Sequence, residues 1–228
     1  MKLAVSPLDE RAAQWRRLPR CTAEEQAAAE AFYESQVLPL FLAQAVEREH
    51  AHLARRYAGL ILAVGADPTP ALFSLAVVRP ERVHFIYSQE HGPAFERLAA
   101  LVQEPALRPA AVALEHEAEV ERVRPGPGPR PTPFERTRVD GEAIQQAYAA
   151  VQEVHSAWGA PQATAVDISG GPPAVSAGMA MAAYVIGADV ACVEAEEYWP
   201  DVGRARPGSL HLDFLPQPNA ASRDLAAH

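Results

Sequence analysis

The feature that most limits how this chain can fold is a short run without a polar side chain, Gly59-Leu60-Ile61-Leu62-Ala63-Val64, closed by Gly65. A strand with one wet face alternates apolar and polar residues. A continuous apolar run of this length is instead expected where both faces are covered, as in parallel sheets. Helix-compatible sequence follows through Val78, then a second strand at Val83–Tyr87, a helix over Pro93–Val102 and a third strand at Ala110–Leu114. Helical spacing returns over Gly141–Trp158 through Ile144, Tyr148, Val151, Val154 and His155. A strand at Ala163–Ile168, a helix over Pro173–Ile186 stopping at Gly187, and a strand at Asp189–Val193 come next. After a loop from Tyr198 to Gly208, Leu210-His211-Leu212-Asp213-Phe214 alternates like an edge strand. Strands alternating with helices predict the α/β class, an open and mostly parallel sheet with helices on both faces.

Ahead of this pattern, residues 1–56 read as an N-terminal helical extension. Thr22 followed by Glu25 is a capping-box pair. Phe32, Val37, Leu38, Phe41, Leu42 and Val46 form an apolar face at helical spacing that is expected to pack on the main domain, with a kink at Pro39. The α/β domain spans 57–219, and its stretch 124–133 is too rich in proline and glycine for a helix or central strand, so a loop is expected there. Residues 220–228 read as a tail or the start of a helix, too short for another domain.

The net charge of −9 argues against duplex DNA as a partner, because that binding depends on Lys and Arg neutralising phosphates. Lys2 is the only lysine, which excludes a P-loop and any lysine chemistry inside the fold. No apolar run is long enough to span a bilayer, and the N-terminus lacks the apolar core of a signal peptide, so no membrane partner and a cytoplasmic location are expected. Cys21 and Cys192 lie far apart and suit free thiols. The histidines are scattered, with His50 and His52 pointing apart on a helix, so neither a metal nor any other cofactor is expected.

In open parallel sheets, ligands sit outside the carboxyl ends of the strands at the point where strand order reverses. Three loops therefore matter. In Gly65-Ala66-Asp67-Pro68-Thr69-Pro70, Gly65 can take positive φ and Thr69-Pro70 reads as N-cap and first helical residue, which could serve a ligand or simply make a good turn. Tyr87-Ser88-Gln89-Glu90-His91 is a polar patch in which Glu90 and His91 could do acid–base work or cap the next helix. The loop Asp167-Ile168-Ser169-Gly170-Gly171 gives two glycines for close ligand approach, and the small residues Ala174, Ser176, Ala177 and Gly178 would let the next helix pack tightly on the sheet. Neither G-x-S-x-G nor G-x-G-x-x-G is present, which disfavours an α/β-hydrolase and an ordinary dinucleotide dehydrogenase.

In combination, "LILAVGADPTPALFSLAVVRPERVHFIYSQE" at 60–90, "AVDISGGPPAVSAGMAMAAYVIGADVACVEAEEY" at 165–198 and "RPGSLHLDFLPQPN" at 206–219 resemble the CARF (CRISPR-associated Rossmann fold) domain. They resemble in particular the sensor domains of ancillary ribonucleases in type III CRISPR antiviral defence. The resemblance covers about residues 30–219. It implies a Rossmann-like homodimer that binds a cyclic oligoadenylate across its two-fold axis and controls an effector domain. By position, the ligand contacts it implies are Gly65, Ala66, Asp67, Pro68 and Thr69; Ser88, Gln89 and Glu90; and Ser169, Gly170, Gly171 and Ser176.

The chain departs from the family where Thr-Lys usually follows the two glycines, because Pro172-Pro173 stand there instead. A cation and two N–H donors are lost, and a charged hydrogen bond is worth roughly 1.5–3 kcal/mol. Arg204 and Arg206 are the candidate replacements. The ribonuclease effectors use an Arg-x4–6-His motif; Arg206–His211 and Arg223–His228 fit its spacing, but so would chance pairs in a chain this rich in arginine. The sensor reading therefore places the effector outside this chain. Three other readings stand beside it: a metal-independent ring nuclease using Thr69 or Ser88, a CARF protein with a structural or regulatory role, and an unrelated Rossmann enzyme.

Overall fold

In the computed structural model, residues 6–49, 53, 56–104, 107 and 135–215 are described. The expected strand at Ala110–Leu114, the proline-rich 124–133, His50 and His52, and the tail 220–228 lie outside them.

Six strands form one sheet in the order β3-β2-β1-β4-β5-β8. They are β1 (Gly59–Val64), β2 (Arg82–Ser88), β3 (Glu135–Val139), β4 (Thr164–Asp167), β5 (Asp189–Ala195) and β8 (Leu210–Leu215). All neighbours are parallel except β5 and β8, which pair antiparallel. Between β5 and β8 the chain makes a small hairpin, β6 (Tyr198–Trp199) with β7 (Arg204–Ala205), where the sequence suggested only loop. The helices are α1 (Pro7–Arg16), α2 (Ala23–Phe32), α3 (Leu38–Glu49), α4 (Thr69–Val78), α5 (Gly92–Gln103), α6 (Ile144–Ala157) and α7 (Pro173–Ile186).

β1 is buried along its whole length, as its composition requires. Leu60, Leu62 and Val64 join a core built with α1 through α5, while Ile61 and Ala63 join a second core with α6 and α7. Alternate side chains of one strand thus serve both layers. α4 is buried on every side because the N-terminal helices cover its outer surface, with Phe41 stacked on Phe73 at 5.6 Å between centroids. A helix apolar all round fits only such a sandwiched position.

Local signals account for the helix ends. Thr22 and Glu25 make the reciprocal capping box. Pro39 cannot bond back to the preceding turn, and the helix widens there into a π turn over Tyr33–Val37, with the Leu38 N–H donating to the Tyr33 carbonyl. Gly187, at φ 72°, ends α7 in the left-handed conformation that favours glycine. β3 was not foreseen. Glu-Arg-Thr-Arg-Val carries three charges in five residues, tolerable only on a half-covered edge beside β2.

Candidate functional site

The strand order reverses between β1 and β4, and the loops leaving these two strands cross there. A Cβ on Gly65 would lie 1.8 Å from the Gly170 carbonyl oxygen, and one on Gly170 would lie 2.6 Å from the Ala63 carbonyl oxygen. Gly65 is therefore needed for backbone contact, and positive φ is not its reason, since it is not among the glycines with positive φ. Likewise Gly170 serves the neighbouring loop. A Cβ on Gly171 would press on Ser176 Oγ at 3.0 Å and Ala63 Cβ at 3.1 Å.

Each loop is held by an aspartate. Asp67 Oδ1 accepts from the Thr69 N–H at 3.0 Å and from the Thr69 hydroxyl at 2.7 Å. This corrects the expected cap: Thr69 is the first residue of α4, Pro68 holds the N-cap position without a side-chain bond, and Asp67 does the capping. Asp167 Oδ1 accepts from the Ser169 N–H at 2.8 Å and from the Ser169 hydroxyl, while Oδ2 accepts from the Ser74 hydroxyl. Burial pushes the Asp167 carboxyl above the ordinary carboxylate range, and its hydroxyl and amide donors oppose that shift.

Beside these loops the end of β2 draws in. Ser88 is fully buried, and its hydroxyl lies 2.9 Å from His91 Nδ1 and donates to Glu90 Oε1 at 3.4 Å. Gly141, after β3, sits against this group: a Cβ there would lie 3.3 Å from Glu90 Oε1, 3.4 Å from Ser88 Cβ and 3.8 Å from Pro172 Cγ. The loops after β2, β3 and β4 thus meet. Ser88, three residues before His91 in the chain, is the hydroxyl the fold brings to its ring.

The twelve expected ligand contacts separate into two kinds. Ala66, Gln89 and Glu90 are exposed, and Asp67, Ser169, Gly170, Gly171 and Ser176 are half-buried. Gly65, Pro68, Thr69 and Ser88 are buried. The four hydroxyls all have internal bonds. Ser176 Oγ donates to the carbonyls of Ile168 (2.8 Å) and Gly171 (3.2 Å), and Ser169 Oγ accepts from the Val193 N–H at 2.6 Å. At α7 the helix itself offers no acceptor to the N–H groups of Ala174 and Val175.

Neither candidate arginine stands free. Arg204 pairs with Asp67 at 3.1 Å and Glu30 at 3.2 Å and lies over the Tyr33 ring at 4.6 Å. Glu30 also binds Arg97, so the first loop is wired to α2 and α5. Arg206 pairs with Asp9 and Glu197. Of the small residues of α7, Gly178 needs correction: a Cβ there would lie 2.3 Å from the Ile144 carbonyl oxygen, so Gly178 lets α7 approach α6 and not the sheet.

No protein-family profile and no curated protein sequence matches the chain. Among solved structures it is similar to Can2 from Sulfobacillus thermosulfidooxidans, solved in complex with cyclic tetra-adenylate, at 12% identity and a TM-score of 0.42. The match covers 67% of this chain but only 38% of Can2, so the chain spans well under half of that protein. The α/β class rests on the sheet topology itself.

Proposed function

We propose that this chain is a CARF-type sensor that binds a cyclic oligoadenylate as a homodimer and controls an effector not carried on the segment 1–228. The observation that carries the reading is the crossing of the β1 and β4 loops at the switch point, with the N-terminus of α7 beside it; that of α4 is already capped by Asp67. Helix N-termini favour phosphate through unsatisfied N–H groups and the helix dipole. With Pro172 and Pro173 in place of Thr-Lys, the donors within reach are the amides of Gly170, Gly171 and Ala174, since Val175 is buried. Phosphate recognition here is a backbone matter.

A dimer suits the exposed outer face of α7, where Met181, Tyr184 and Val185 are each more than half exposed. A two-fold interface repeats such a patch on both subunits, as a two-fold symmetric ring ligand requires. Among the described residues no helix is long and apolar enough to cross a membrane; the sensor reading places the protein in the cytoplasm. Calorimetric titration with cyclic tetra- and hexa-adenylate tests the proposal. Saturable heat with one of the rings is expected, and no heat with either at high micromolar concentration refutes it.

A second reading, ring cleavage without a metal, is favoured by the Ser88–His91 contact. His91 would take the proton from the 2′-hydroxyl as that oxygen bonds to the adjacent phosphorus and the bond to the 5′-oxygen breaks, the departing 5′-oxygen being protonated by water, with Ser88 fixing the imidazole. Chromatography after long incubation separates the two readings: an intact ring means binding alone.

A further inference from the structure

The antiparallel pairing of β5 with β8 assembles a cluster that no local spacing in the sequence reveals. Glu194 stands directly opposite His211, and Cys192 directly opposite Asp213. Residues two apart on a strand share a face, so all four lie on one side of the sheet. The intervening Val193 and Leu212 turn the other way, into the core shared with the N-terminal helices. His211 Nε2 is 3.4 Å from Asp213 Oδ2 and 3.9 Å from Glu194 Oε2. The three ligand atoms all lie within 4.8 Å of one another. Nitrogen and oxygen donors around a tetrahedral ion sit roughly 3.3–3.6 Å apart, given metal–ligand bonds of about 2.0–2.2 Å. Side-chain rotation alone closes the difference.

We propose that Glu194, His211 and Asp213 form a binding site for a divalent transition metal of the zinc class. The imidazole decides the class, because magnesium and calcium take oxygen ligands while nitrogen donors select zinc and its neighbours. The remaining member of the patch, Cys192, is a free, half-buried thiol. The rival reading is an ordinary histidine–carboxylate contact on an edge strand with no ion bound.

The test uses the untagged chain, stripped of metal with a chelator and titrated with Co²⁺ while visible absorption is followed. Saturable one-to-one binding is expected, displaced by Zn²⁺ and unaffected by excess Mg²⁺. His211→Ala should weaken it by at least about tenfold, with the thermal midpoint of the metal-free protein unchanged. Glu194→Gln, at an exposed position, carries the same expectation should the histidine variant fail to fold. No saturable spectrum, displacement by Mg²⁺, or unchanged affinity in the variants overturns the site.

Discussion

The two loops at the switch point share one local device in two environments. Asp67-Pro68-Thr69 and Asp167-Ile168-Ser169 each place an aspartate two residues before a hydroxyl residue, and in each Oδ1 accepts from both the amide and the hydroxyl of that residue. Around that device everything differs. Asp67 is partly exposed and paired with Arg204, whereas Asp167 is buried and held only by hydroxyl and amide donors. The same turn chemistry is thus stabilised by charge in one loop and by desolvated hydrogen bonds in the other, and only the first is wired to the N-terminal helices.

Substitutions should separate the two. The largest effect is expected where the loops touch: Gly65→Ala drives a methyl group into a backbone carbonyl that cannot rotate away, and should cost about 3 kcal/mol in urea unfolding. Asp167→Ala leaves buried donors at Ser74 and Ser169 without their acceptor, at a cost of about 2 kcal/mol. That cost should vary with pH. Since burial raises the Asp167 pKa, the wild-type side chain contributes fully below the ordinary carboxylate value and loses stability as pH rises through the folded pKa. The penalty of the variant is therefore largest at low pH and shrinks on the way up. Asp67→Ala should be mildest, about 1 kcal/mol: Thr69 loses its cap, but beside the partly exposed Asp67 water can take over those donors, and Glu30 still holds Arg204. Equal penalties at the two aspartates would erase the distinction between the loops.

Most of the sheet was legible in the sequence, because a continuous apolar run, a proline at a helix start and a glycine at its end are local signals. β1, α7 and the edge strand β8 sit close to where those signals put them. β3 escaped, since a charged edge strand has no apolar run to betray it. At the site, the sequence marked which loops matter but not what each residue does. Gly65, Gly170 and Gly178 look permissive in sequence, yet each exists to admit a carbonyl from a distant segment. The engagement of Arg204 with Asp67, and of His211 with Glu194, comes from tertiary pairing, which periodicity cannot carry.

The central claim is that a cyclic oligoadenylate is held by backbone amides at the crossing of the β1 and β4 loops. Amide-resolved NMR titration of the full chain with cyclic tetra- and hexa-adenylate tests it most directly. The expected result is saturable shifts concentrated at Ala66, Gly170, Gly171 and Ala174. Shifts confined to other segments, or none with either ring, would contradict it.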